Sequence, residues 1–207
     1  SFDVGTIIDN EITMTREAKV GEYPTGVTSV DINTLGAGGG SIAWVDKGGL
    51  IRVGPQSAEA VPGPACYGRG GKEPTVTDAN VILGYLNPDT FLGGDMIIYP
   101  ELAEEAVLKL ADAIKVELAE MASGIFRIVN ENMISGILDM TVRRGIDPRE
   151  FTIVAGGGAI EIELAKKLEK LLGIELLEKV SEELKIERFK REGKDYLRLG
   201  DFFPKGE

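Results

Sequence analysis

Apolar residues recur along this chain in two periods. Over positions 118–140 they return every three or four residues, and Ile125, Ile128, Val129, Met133 and Ile137 share one face, with Asn132 among them. That spacing matches a turn of 3.6 residues and predicts the clearest helix, Leu118–Met140. The same period predicts helices over Thr75–Leu86 and Leu102–Ile114. In the first, Thr77 or Asp78 supplies the cap, and Val81, Ile82 and Tyr85 form the buried stripe. Pro100-Glu101 opens the second. Elsewhere the period is two, or the apolar run is short and unbroken. Phe2–Ile8 and Glu11–Thr15 read as strands joined at Asp9-Asn10, a hairpin-turn pair. Ser41–Val45 and Leu50–Val53 read as a second hairpin around Gly48-Gly49. Met96–Tyr99 reads as a short strand, and Phe151–Ala155 as a buried parallel strand. Beyond it, Ile160–Leu172 and Leu176–Leu184 read as helices, and RFKREGKDYLRLGDFF as a basic, strand-like tail. The succession is that of an α/β chain.

Glycine marks the joints. Gly36, Gly38, Gly39 and Gly40 precede the Ser41–Val45 strand. A flexible linker has no reason to carry Ile42, Trp44, Val45, Leu50, Ile51 and Val53 in strand-like order beside such a run. The run is therefore an ordered turn. It either forms a nest of backbone N–H groups for an anion, with Ser41, or makes a tight structural crossover. A second run, Gly156, Gly157 and Gly158, ends the Phe151–Ala155 strand at a helix start. Such a junction offers N–H groups to phosphate or hydroxyl oxygens.

Charge and composition narrow the chemistry. The net charge of −11 disfavours nucleic acid, whose phosphates need a basic surface. No apolar run approaches the ~18–20 residues of a membrane span. There is one cysteine, Cys66, hence no disulfide framework, and SFDVGTIID lacks the features of a signal peptide. The expectation is a cytoplasmic protein. There is no histidine. Ser-His-Asp and Cys-His catalysis within this chain is excluded, and one cysteine with no histidine is a poor basis for a zinc site. Any metal is a hard cation such as Mg²⁺ on oxygen ligands. Candidate carboxylates flank the glycine-rich turns: Asp3, Asp31, and Asp78 with Asn80. They either converge on a substrate or metal, or cap turns and helices. Cys66, with no base to activate it, reads as a buried inert thiol, and Trp44 reads as core.

The ordered set SFDVG, DINTLGAGGGSIAWVDKGGLIRVGPQSA, VPGPACYGRGGKEPTVTDAN, FLGG, GIFRIVNENM and RGIDPREFTIVAGGGA resembles the hydantoinase A / 5-oxoprolinase family, which includes acetone-carboxylase-type subunits. These motifs lie within residues 1–159. The resemblance implies one ribonuclease-H-like half, the second, of an actin/Hsp70/sugar-kinase-type ATPase fold, with a mixed sheet flanked by helices. It implies ATP and Mg²⁺ as cofactors. Asp3 would position the metal and phosphate beside Gly5, Gly38, Gly39, Gly40 and Ser41 would cradle phosphate, and Gly156, Gly157 and Gly158 would contact adenosine. Asp3, Asp31 and Asp78 are the implied catalytic carboxylates. The implied activity is ATP-dependent opening of a cyclic amide, or carboxylation of a ketone in relatives. The implied partners are a first-half domain, whose phosphate hairpin has no counterpart here, or a B-type subunit.

Three features depart from the family pattern. Only Ser1–Gly5 match its GGTS-like lead-in, Asn33 stands where the family often has His, and Ile160-Glu161-Ile162-Glu163 replaces a Pro-Leu-His-Ala-like run. Two carboxylates at that helix start repel a phosphate. The expected division is a family-like domain over 1–172 and a divergent Lys/Glu-rich end over 173–207. Phe2, Ile7, Ile8 and the 36–72 region are expected to form an exposed rim that drives homo-oligomer formation or first-half binding. The competing reading is a non-catalytic binding or assembly module, or an artificial fusion that keeps only the fold.

Overall fold

The computed structural model describes residues 1–89 and 91–154, together with the strands Glu175–Leu176, Phe189–Arg191 and Lys194–Tyr196. Four short ladders open the chain. β1 (Phe2–Gly5) pairs antiparallel with β8 (Ile32–Leu35), in register Asp3 to Thr34 and Gly5 to Ile32. Between them, β2 (Ile7–Ile8) pairs with β3 (Glu11–Ile12), β4 (Met14–Thr15) with β7 (Ser29–Val30), and β5 (Lys19–Val20) with β6 (Tyr23–Pro24). The β2–β3 turn is the expected Asp9-Asn10 pair, both at positive φ (54° and 62°). That is the backbone a two-residue hairpin needs, and Asp and Asn tolerate it best after glycine.

The second hairpin also forms. β9 (Ser41–Val45) pairs antiparallel with β10 (Ile51–Ser57) through a turn in which Gly49 holds φ 81°. Trp44 departs from its expected place in the core. It is 39 % exposed, and its indole N–H donates to Gly54 O at 2.9 Å. On β9 the buried residues are Ser41 and Ala43, which leaves Trp44 on the opposite pleat.

Three helices supply the core. α1 (Val76–Ile82) is shorter than the period suggests, because Gly84 at φ 76° turns the chain away. Its cap is Thr75 rather than Thr77 or Asp78, and Asp78 is the N3 partner in a capping box. Tyr85 lies past the helix end, 44 % exposed, with its ring 4.9 Å from Phe126. α2 (Pro100–Ile114) opens on Pro100 at its first turn and closes on Lys115 in the left-handed region. α3 (Leu118–Met140) has the expected bounds. Its Met121, Ile125, Val129 and Met133 are buried against α1, α2, β8 and β10. Ile128 is only partly buried. A Cβ on Gly136 of α3 would overlap the Leu35 side chain, so glycine is what lets β8 approach the helix.

Met96–Tyr99 forms no strand. Tyr99 N donates to Cys66 O at 2.8 Å, and a single such bond makes no ladder. In the Phe151 region the strand is β11 (Thr152–Ile153), parallel to β12 (Glu175–Leu176) as expected, but Val154 is 57 % exposed. β13 (Phe189–Arg191) and β14 (Lys194–Tyr196) form an antiparallel hairpin within the strand-like tail. Strands and helices are thus mixed. Among the described residues every ladder has two strands, so the expected mixed sheet is not assembled there. The expected helices Ile160–Leu172 and Leu176–Leu184 fall largely outside the described residues, apart from Leu176, which lies in β12. No described helix is long and apolar enough to cross a membrane.

Candidate functional site

The glycine run between β8 and β9 borders a cleft of about 330 Å³. Gly38, Gly39 and Gly40 form one wall, and Val76, Thr77 and Asn80 of α1 another. Phe126, Val129, Asn130 and Met133 of α3 form the floor, and Tyr67, Phe91 and Leu92 close a side. The floor residues stand at i, i+3, i+4 and i+7, one face of a helix.

Backbone hydrogen bonds fix the glycine wall. Gly38 O accepts from Ser41 N at 2.9 Å, Gly39 O from Thr77 N at 2.8 Å, and Gly40 O from Ala58 N at 2.8 Å. Gly38 N donates to Ser41 Oγ at 3.0 Å, and that hydroxyl donates to Gly36 O at 3.3 Å. All three carbonyls are therefore engaged. Among the described residues the N–H groups of Gly39 and Gly40 have no acceptor. A Cβ on Gly39 would stand 2.6 Å from Thr77 Oγ1, so that hydroxyl would have to turn away. The run is a built turn that presents two free donors.

The cleft carries little charge. Among the described residues Glu59 is its one lining carboxylate, and no Lys or Arg lines it. Burial pushes the Tyr67 phenol up, and the nearby Thr77 hydroxyl only partly offsets this, so Tyr67 stays a neutral donor. Asn130 is 3 % exposed, and its carboxamide has no hydrogen-bond partner among the described residues. Its amide atoms are open to the cleft rather than sealed in the core, so a ligand there can reach them.

Asp3, Asp31 and Asp78 do not converge. Asp3 is exposed on β1, where Oδ1 accepts from Thr34 Oγ1 at 2.6 Å across the ladder. Gly5, at the same ladder's end, is also exposed and away from the cleft lining. Asp31 is ion-paired with Arg144, which follows α3. Asp78 is 0 % exposed and surrounded by donors. Its Oδ1 accepts from Cys66 N at 2.8 Å, and its Oδ2 accepts from Thr75 N, Thr75 Oγ1 and Ala65 N at 2.9, 2.7 and 3.3 Å. Nothing is left for a substrate, so the catalytic expectation for Asp78 gives way to capping. Cys66 is buried as expected, and desolvation together with the Asp78 carboxylate drives its thiol far above the ordinary range. Among the described residues no group of three acidic or sulfur ligands could hold a metal ion, so Asp3 offers at most one carboxylate to a metal. Gly156, Gly157 and Gly158 lie outside the described residues.

Asn132, expected on the buried side either to satisfy a backbone group or to line the cleft, does the former: its Nδ2 donates to Val53 O at 3.4 Å. Asn130 is the residue that reaches the cleft, and the signal was its spacing from Phe126 and Met133. Phe2 is buried rather than part of a rim, whereas Ile7 and Ile8 are exposed as expected.

The family model described as Hydantoinase/oxoprolinase matches residues 1–181. The chain belongs to the hydantoinase/oxoprolinase family. Caprolactamase subunit alpha of Pseudomonas jessenii is 41 % identical over 172 residues, covering 83 % of this chain and 25 % of the relative. Acetophenone carboxylase gamma subunit of Aromatoleum aromaticum is 44 % identical over 162 residues, covering 77 % of this chain and 22 % of the relative. The crystal structure of ATP-dependent caprolactamase from Pseudomonas jessenii superposes with a TM-score of 0.70 at 42 % identity, covering 78 % of this chain and 23 % of that one. The chain thus spans about a quarter of the length of these family members.

Proposed function

We propose that this chain is part of a hydantoinase/oxoprolinase-type subunit that couples ATP to the opening of a cyclic amide. The observation that carries this reading is the likeness to ATP-dependent caprolactamase, at 42 % identity and a TM-score of 0.70. The same likeness supports a ribonuclease-H-like half of an actin/Hsp70/sugar-kinase-type ATPase as the finer fold. The family match over 1–181 runs past the expected boundary between 172 and 173.

Phosphorylating an amide oxygen would make the carbonyl carbon a better electrophile for water, and that is the chemistry ATP would supply when bound. The described residues suit the metal better than the triphosphate. Asp3 is exposed with Oδ2 unengaged, which fits Mg²⁺, since that ion takes one or two carboxylates and keeps several waters. The described lining of the cleft, which holds Glu59 and no cation, does not by itself suit a triphosphate. ATP in this reading relies on Gly156–Gly158 and on a first-half domain or B-type subunit.

A chimera tests the reading. Residues 1–154 replace the matching segment of the Pseudomonas jessenii caprolactamase alpha subunit, and ADP release is measured with and without ε-caprolactam. The expected result is lactam-stimulated ADP release, lowered by Asp3→Ala. A chimera that melts cooperatively but releases no ADP would leave the non-catalytic module as the better account.

A further inference from the structure

We propose that the cleft recognises an uncharged cis-amide, with Asn130 as the residue that sets its specificity. Gly39 and Gly40 N–H donate to the ligand's carbonyl oxygen, and Asn130 Oδ1 accepts from the ligand's N–H. The proposal rests on the lactam reading above and deepens it by naming the residues that read the amide.

Three observations meet here. First, two backbone donors on one fixed turn have no acceptor among the described residues, and a carbonyl oxygen with two lone pairs satisfies both. Second, the Asn130 carboxamide is 3 % exposed, lines the same cleft and is unpartnered among the described residues. With the two glycine N–H groups on one side and Asn130 Oδ1 on the other, the ligand presents an acceptor and a donor on one edge, as an uncharged amide held cis in a small ring does. Third, the remaining floor, Phe126, Val129 and Met133, is apolar and suits ring methylenes. A phosphate fits poorly. It would bury charge with no cation among the described lining residues and would face the Glu59 carboxylate. The glycine turn is thus a carbonyl hole rather than a phosphate nest.

The test uses the ¹⁵N-labelled 207-residue chain without ATP, titrated separately with 2-pyrrolidinone, cyclopentanone and inorganic phosphate. The expected result with 2-pyrrolidinone is saturable shifts at the Gly39 and Gly40 amides and the Asn130 side-chain amide. Cyclopentanone, which keeps the carbonyl but lacks the N–H, should bind the native chain about threefold to tenfold more weakly, the worth of one neutral hydrogen bond. Asn130→Leu should remove that preference while leaving the spectrum otherwise folded. Phosphate should leave Gly39 and Gly40 unshifted, and Glu59→Lys should let it shift them. Equal affinity of the native chain for the two ring compounds overturns the proposal even where Asn130→Leu fails to fold. Saturable phosphate shifts at Gly39 and Gly40 in the native chain, or no 2-pyrrolidinone shifts there, also overturn it. Because no turnover is read, these failures leave the chimera's ADP release as an independent test of the lactam reading.

Discussion

Thr75 and Asp78 cap one another. Thr75 N–H and hydroxyl donate to Asp78 Oδ2 at 2.9 and 2.7 Å, and Asp78 N–H donates back to Thr75 Oγ1 at 3.3 Å. The same carboxylate holds the Ala65-Cys66 turn through two more N–H groups. One buried side chain therefore ties the start of α1 to the segment that carries Tyr67, and both border the cleft.

Asp78→Asn should destabilise the fold by about 3 kcal/mol or more. A carboxamide turns one acceptor into a donor that faces donors, and bonds to a charged acceptor are worth ~1.5–3 kcal/mol each without being additive. Urea melts of the two proteins give the number. A loss under ~1 kcal/mol would mean that the turn is held by something else.

The Cys66 thiol should be inert in the folded protein. It is fully buried, and its ionisation is opposed first by desolvation and then by Asp78. A disulfide reagent at pH 8 should react only as the chain opens, with the same rate dependence on urea as unfolding. Rapid reaction of the native protein would show that the segment opens locally.

Ile125 and Ile128 should differ although both lie on the α3 stripe. Ile125 is wholly buried, so Ile125→Ala should cost roughly 2–5 kcal/mol. Ile128 is partly buried, so its truncation should cost less. Equal losses in denaturant melts would place the core boundary elsewhere on the helix.

Asp147 should titrate at about 2. The Arg149 side chain is the largest cause, followed by the Arg149 backbone N–H. A depressed carboxylate stabilises the fold above its unfolded pKa, and that contribution fades as pH falls through the folded one. The window runs downward from 3.8 to about 2. Carbon-detected NMR titration should place the midpoint there, and Arg149→Ala should bring it back toward 3.8 while the backbone bond keeps part of the shift. A midpoint that ignores the substitution would exclude the guanidinium as the cause.

What the sequence revealed followed from local physics. α3 carries enough turns for its period to define both ends, and Asp9-Asn10 suits the positive φ its hairpin requires. The capping box was written in Thr75-Val-Thr-Asp78, but two threonines and an aspartate in four residues left the cap position open. Longer-range facts were not legible. Asn130 and Asn132 look alike in a helical pattern, and which one meets a cleft depends on where β10 and α1 pack. Met96–Tyr99 has strand-like composition, yet its one ladder-like bond goes to Cys66, far back in the chain. The Asp78 carboxylate could be a catalytic group or a brace until its donors were known.

Gly5 lies directly opposite Ile32 across the β1–β8 ladder. The chain therefore leaves and re-enters the body through one doorway, and everything from Thr6 to Asp31 is a detour between adjacent points. Its two-residue ladders leave Ile12, Met14, Val20, Tyr23 and Val27 exposed, and the Asp31–Arg144 pair anchors its base to the segment after α3. The core lies on the far side of that doorway. A two-residue glycine turn could close it, and an unrelated finger could be grafted in its place, without rewriting one residue of the helical interior. For anyone recombining these proteins, residues 5 and 32 are the splice points.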